Sequence, residues 1–139
     1  MLSTISCLAL AIYFEARSEP IAGQLAVAQV ILNRVVDERY PDTVCEVIME
    51  GPTHPSGHPV RHKCQFSFWC DGKPENVHDY EAWQTAVRVA TAAAEPDAHT
   101  IDVSEGATFY HSTNVSPTWR YTMHMTVEIG HHVFYRSEK

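Results

Sequence analysis

Glu15 is the residue of this chain best placed to do chemistry. It closes an apolar run that begins near Ile5, carries Ile5, Leu8 and Ile12 at helical spacing, and ends in Tyr13 and Phe14. Pro20, five residues on, opposes continuation of that helix, so the carboxylate falls on its last turn. The negative end of the helix dipole and the apolar neighbours both favour the protonated form. A carboxylic acid still protonated near neutral pH is what a general acid for glycoside cleavage requires. The competing reading is a solvated Glu15 paired with Arg17.

Other groups that could do chemistry cluster in two places. Cys64-Gln65-Phe66-Ser67-Phe68-Trp69-Cys70-Asp71-Gly72 packs aromatics among small polar residues and closes on an Asp-Gly turn, a rigid platform suited to stacking on a sugar ring. The alternative is that Phe66, Phe68 and Trp69 are mostly core. Near the end of the chain Tyr110, His111, Trp119 and His132 are polar-tipped aromatics in or beside loops, and so candidate cleft lining. His54, His58 and His62 lie near Cys64 and Cys70, which raises zinc. Yet Pro55 and Pro59 break any helix that would align them and no Cys-x-x-Cys pair occurs, so residues 51 to 63 read as an exposed polar loop with no metal.

The elements that must position these groups follow from periodicity. A second helix starts after Pro20, runs through Gly23 and is clear from Gln24 to about Val36; apolar on nearly every side, it belongs in the centre of the domain. Its polar stripe, Gln29 and Asn33, is expected to bond neighbouring backbone, the alternative being that it borders the Glu15 cleft. Thr43 and Glu46 have capping-box spacing and open a short helix with Val44, Val47 and Ile48 inward. Another helix begins at His78 or Asp79, with Trp83, Val87, Ala90 and Ala94 on its inner side, and ends at Pro96. After Gly106 the period changes: Ala107 to His111 reads as a short strand, and Val127 to Tyr135 as a second, interrupted at Gly130.

Composition bounds the rest. The 139 residues, without a repeat, suit one domain with a real core, spanning 1–139. A formal charge of −7 with no Lys/Arg run excludes broad nucleic-acid binding. The N-terminal apolar run has no basic leader and flows into the Glu15 segment, so it reads as neither a removable signal nor a membrane span. Cys7 is expected to be a small buried hydrophobe. Any two of Cys45, Cys64 and Cys70 could form one disulfide, with Cys64–Cys70 or Cys45–Cys64 preferred, and a reduced state is equally compatible with the sequence.

Tyr13-Phe14-Glu15-Ala16-Arg17-Ser18-Glu19-Pro20, then Gly23-Gln24 and Val30-Ile31-Leu32-Asn33-Arg34-Val35, resemble the SleB/CwlJ-type cell wall hydrolase family. Later blocks agree in order: Tyr40-Pro41, Val44-Cys45-Glu46-Val47, Cys64-Gln65-Phe66-Ser67, Gly106 to His111, Pro117-x-Trp119, and Ile129-Gly130-His131-His132-x-Phe134-Tyr135. Ser18 departs from the glycine usual in that signature, and a positive φ there would cost more with Ser. The 51–63 loop is also longer than is common.

The resemblance implies an α+β, mainly α, lysozyme-like or lytic transglycosylase-type fold with a small β element, acting on peptidoglycan glycan strands as a monomer without cofactor or membrane insertion. It places the catalytic acid on Glu15, and makes Glu19 structural, bonded to backbone or to Arg17 or Arg34, with Asn33 as further support. Gln65, Phe66, Ser67, Trp69, Tyr110, His111, Trp119 and His132 become the expected substrate-binding set. With no second carboxylate evident, lytic transglycosylation to a 1,6-anhydro product is favoured over muramidase-type hydrolysis. A non-catalytic glycan-binding module and a zinc amidase are the competing classes. Action is expected at the bacterial cell wall, either as a phage lysis protein or as a remodelling enzyme, held in the cytoplasm before release or exported by another route.

Overall fold

The computed structural model describes residues 2–73, 76–95 and 101–137. Four helices, α1 (Thr4–Ala16), α2 (Ile21–Val35), α3 (Val44–Ile48) and α4 (Tyr80–Ala94), precede three strands, β1 (Phe109–Ser112), β2 (His124–Ile129) and β3 (His132–Arg136). The Ser3 hydroxyl caps α1 by accepting from Ser6 N at 3.0 Å. The helix buries Cys7, Leu8, Ala9, Ala11, Ile12, Tyr13 and Ala16, because α2, α3 and α4 all pack against it. Tyr13 is fully enclosed, and its hydroxyl accepts from His78 N and Asp79 N at 3.0 Å each, fixing the start of α4. Asp79 then caps α4 by accepting from Ala82 N.

α2 is the central helix, as its composition requires, except that Val36 lies just past its end and is 82% exposed. Gln29 and Asn33 take the structural role. Gln29 donates to Ile101 O and accepts from Val103 N, while Asn33 donates to Asp102, Ser104 and Ala107 O. This stitches the 101–107 loop to α2. α3 is capped by Thr43, whose hydroxyl accepts from Glu46 N and donates to the Glu46 carboxylate. The buried centre of α4 is Ala86, Val89 and Ala90; Trp83, Val87 and Ala94 flank it half-buried, so the inner face is turned by about one residue from the expected one. Pro96, expected to end it, lies outside the described residues.

Gly130 does not interrupt one strand; it turns two. The sheet order is β1-β3-β2, all antiparallel, with Ile129 opposite His132 across the two-residue turn Gly130-His131. Gly130 takes φ +57° at the first turn position, as a II′-type hairpin demands. β3 is central and buried from His132 to Tyr135.

The preferred pair Cys64–Cys70 forms, and the expectation for Cys7 changes. Cys7 is not a free thiol: it bonds Cys45, joining α1 to α3 across 5.4 Å between Cα atoms, while Cys64 bonds Cys70. Periodicity placed Cys7 inside a buried helix but could not reveal that α3 lies over it. The penalty expected at Ser18 does not arise, since the only described non-glycine residues with positive φ are His62 and Glu105.

Glu19 joins the helical and β parts. Its Oε1 accepts from His131 N at 2.6 Å and its Oε2 meets His131 Nδ1 at 3.0 Å, with His132 Nδ1 3.8 Å from Oε1. Neither Arg17 nor Arg34 is its partner. The Arg17 guanidinium lies over the Tyr13 ring and that of Arg34 bonds Thr108 O. Burial alone would raise the Glu19 pKa, but the His131 N–H and ring and the two histidine charges outweigh it, so the group titrates below its usual range. A Cβ on Gly130 would stand 2.5 Å from Glu19 Oε1, so the turn can approach only as glycine.

Glu19→Ala takes the acceptor from the part-buried His131 N–H and is expected to lower stability by about 1–3 kcal/mol in urea unfolding. Gly130→Ala is expected to destabilise as well, and the double variant to cost less than the sum, because the clash is with the Glu19 side chain itself. The ionic share of the Glu19 contribution is full above its unfolded pKa of 4.5 and is lost as pH falls through the depressed folded value, so the gap between wild type and Glu19→Gln should close in acid.

Candidate active site

The end of α1, the segment after α3 and the edge of the sheet converge on one cavity of about 310 Å³ lined by Glu15, Arg34, Gln65, Phe66, Phe109, Tyr110 and Trp119. Helix α1 supplies Glu15 on its last turn. The helix stops at Ala16, where a turn bonded from Glu19 N to Ala16 O takes over, so Glu19 leaves the helical face of Glu15. Strand β1 supplies Phe109 and Tyr110, and a 3₁₀ turn at Thr118–Thr122 supplies Trp119.

Tyr110 donates its hydroxyl to Glu15 Oε1 at 2.5 Å. Burial raises the Glu15 pKa, and the Tyr110 hydrogen bond, which favours the carboxylate, only partly offsets it, so the net direction is up. Burial and the adjacent Glu15 charge push the Tyr110 phenol well above its ordinary value, so it stays a neutral donor. Phe14 stacks on Phe68 with ring centroids 5.0 Å apart, walling the helix end with apolar surface.

Of the expected substrate-binding residues, Gln65, Phe66, Tyr110 and Trp119 share this cavity with Glu15. Ser67, Trp69, His111 and His132 lie outside its wall. Ser67 opens a 3₁₀ turn facing solvent, and Trp69 is half-buried on the same turn. The His111 ring is held between Ser112 O at 2.8 Å and the Tyr135 hydroxyl at 2.9 Å, and packs edge-on to Trp119, which it buttresses. His132 is buried behind Tyr110 with ring centroids 5.0 Å apart, and desolvation pulls its pKa down, although Glu19 acts in the opposite sense. Phe66 and Phe68 are buried, as the core reading had it. Arg34 and Phe109 are the lining residues that sequence reasoning missed. An arginine in the last turn of a mostly apolar, buried central helix was the available signal for the first.

Among the described residues no group of three or more His, Cys, Asp or Glu is placed to hold a metal ion, and no helix is long and apolar enough to cross a membrane.

A profile of the cell wall hydrolase family matches residues 18–135. The chain belongs to that family. A spore cortex-lytic enzyme from Halalkalibacterium halodurans is 34% identical over 131 residues, covering 94% of this chain and 34% of that protein. One from Oceanobacillus iheyensis is 31% identical, with 94% and 40% covered. The chain thus spans roughly a third to two-fifths of the length of these curated relatives. The catalytic domain of the Bacillus cereus SleB protein superposes with a TM-score of 0.66 at 29% identity, over 96% of this chain and 89% of that one. The catalytic domain of the Bacillus anthracis germination-specific lytic transglycosylase SleB gives 0.67 at 31% identity, over 96% and 93%. The mainly helical, lysozyme-like architecture with a small three-stranded sheet is therefore the fold of this family.

Since the folded pKa of Glu15 lies above 4.5, ionising it in place opposes folding at higher pH. Glu15→Gln is accordingly expected to raise Tm at neutral pH, with the gain vanishing below pH 4.5, where wild-type Glu15 is protonated in both states. A calorimetric pH series checks this.

Proposed function

We propose that this chain is one peptidoglycan-cleaving catalytic domain, acting on glycan strands as a lytic transglycosylase with Glu15 as general acid and then base. The observation that carries the reading is that, among the described residues, Glu15 is the one carboxylate lining the cavity, with its pKa raised and a neutral phenol bonded to it. Tyr110 occupies Oε1, leaving Oε2 to carry the transferable proton. Glu15 gives that proton to the glycosidic oxygen between N-acetylmuramic acid and N-acetylglucosamine as the bond to the anomeric carbon breaks. The muramoyl 6-hydroxyl oxygen then bonds the anomeric carbon and returns its proton to Glu15. The product is a 1,6-anhydro sugar, and the enzyme is regenerated without water.

Hydrolysis would call for a second carboxylate about 5–9.5 Å from the first across the sugar. Glu19, the next carboxylate along the chain, is 4% exposed and committed to His131. Trp119 and Phe109 offer ring faces for the sugar and Gln65 an amide for its substituents. The Bacillus anthracis neighbour is itself a lytic transglycosylase, which supports this choice.

Mass spectrometry of soluble products from purified peptidoglycan tests the proposal. Wild type should release anhydro-muropeptides, and Glu15→Gln should reduce release roughly 10²–10⁴-fold. Reducing muramic ends, heavier by one water, would overturn transglycosylation, and no release from any peptidoglycan would overturn catalysis. Tyr110→Phe removes a bond that favours the Glu15 carboxylate, so the Glu15 pKa should rise further. The alkaline limb of kcat/KM, set by loss of the Glu15 proton, should then move to higher pH.

A further inference from the structure

Arg34 is a charged side chain in an unusual place. It is 5% exposed, on the most buried helix, and it lines the cavity that holds Glu15. Only its Nε has a hydrogen-bond partner among the described residues, Thr108 O at 2.7 Å. No carboxylate lies within ion-pair distance of it among those residues. The guanidinium is instead surrounded by ring faces, with its carbon 5.0 Å from the Tyr40 centroid, 5.1 Å from Phe109 and 5.7 Å from Phe66.

Burial pulls the Arg34 pKa down against the opposing effect of Tyr40, Tyr110 and the more distant Glu50 carboxylate, yet an arginine starts so far above neutrality that it remains charged. A buried guanidinium with unpaired Nη donors is costly unless something completes it. Neither Nη nitrogen is among the fully buried, unpartnered atoms, and two of the three rings around the guanidinium, Phe66 and Phe109, line the cavity with Arg34. The Thr108 bond and the three rings hold the fork in one orientation, so it is set before any ligand arrives.

We infer that Arg34 is a substrate-recognition residue, presenting its Nη fork to an acyl oxygen carried by the sugar beside Glu15. That chemistry has two sources in such a glycan, the 2-acetamido carbonyl and the 3-O-lactyl group of a muramoyl residue. This deepens the proposed reading and rests on it for the placement of the sugar. The contact fixes how far the ring enters the cavity and so where the glycosidic oxygen meets Glu15.

Binding measured in a Glu15→Gln background tests this separately from cleavage, which the wild-type products decide on their own. The probes are a GlcNAc–MurNAc tetrasaccharide, chitotetraose, which has acetamido groups only, and cellotetraose, which has no acyl group. Arg34→Lys keeps the charge and loses the fork, and should weaken the muramoyl probe about 10- to 100-fold, with cellotetraose unaffected. An equal loss for chitotetraose assigns the acetamido carbonyl, and a loss confined to the muramoyl probe assigns the lactyl group. A second measurement needs no change at Arg34: its 15Nη resonances should shift and exchange more slowly with acylated probes only. Arg34 resonances blind to every probe, an Arg34→Lys penalty that is the same for cellotetraose, or no binding of the muramoyl probe overturns the inference.

Discussion

The hydrogen bond from His131 N to the Glu19 carboxylate is the contact on which the geometry of the site depends. Glu15 belongs to a helix and Tyr110 to a strand 95 residues later, yet their oxygens must meet at 2.5 Å. The α1–α2 turn and the β2–β3 turn provide the join: one presents a buried carboxylate, the other an N–H at a position only glycine can precede. The hydrogen bonds of this clasp all come from His131, with His132 3.8 Å away adding only charge, so the clasp is directional, set by one N–H and one ring nitrogen. His132 then fills the space between Glu19 and the Tyr110 ring, so a shift of the hairpin is felt at the phenol.

Two glutamates four residues apart meet opposite fates for the same reason, the supply of donors. Both are desolvated. Glu19 receives a backbone N–H, a ring nitrogen and two histidine charges, and its ionised form wins. Glu15 receives a single phenol, which does not compensate burial, and its pKa is raised. The ending of α1 at Ala16 decides which glutamate gets which environment, since it leaves Glu15 on the helix in the cavity with Phe66, Phe109 and Trp119 and carries Glu19 round to the hairpin.

Much of this was legible in the sequence where the signal is local. The Glu15 helix, the apolar central helix, the Thr43–Glu46 cap and the Asp79 start depend on residues within a few positions of one another, and periodicity or capping chemistry reads them directly. The resemblance of the Glu15 segment supplied the family and fold. What escaped depends on pairs distant in the chain. Cys7 finds Cys45 because α3 crosses α1, Glu19 finds His131 across 112 residues, and Arg34 faces the cleft only because β1 packs beside α2. His111 and His132 have the right chemistry for a cleft, but strand pairing turned one into a prop for Trp119 and the other into a buried spacer, and no period-two pattern announces that.

The placement of Arg34 also bears on the raised pKa of Glu15. A guanidinium and a carboxylate lining one small cavity would ordinarily pair, and an adjacent Arg lowers a carboxyl pKa by about 1–3 units. Such a pair would abolish the acid. It does not form here, because Thr108 O and three aromatic faces hold Arg34 while Tyr110, a neutral donor, takes the Glu15 oxygen that an arginine would otherwise reach. The cavity thus holds a cation and a carboxyl group of raised pKa without pairing them, which the proposed roles of both require. Neither role survives if they are allowed to meet, so the aromatic cage around Arg34 is as much a condition of acid chemistry at Glu15 as the apolar wall behind it.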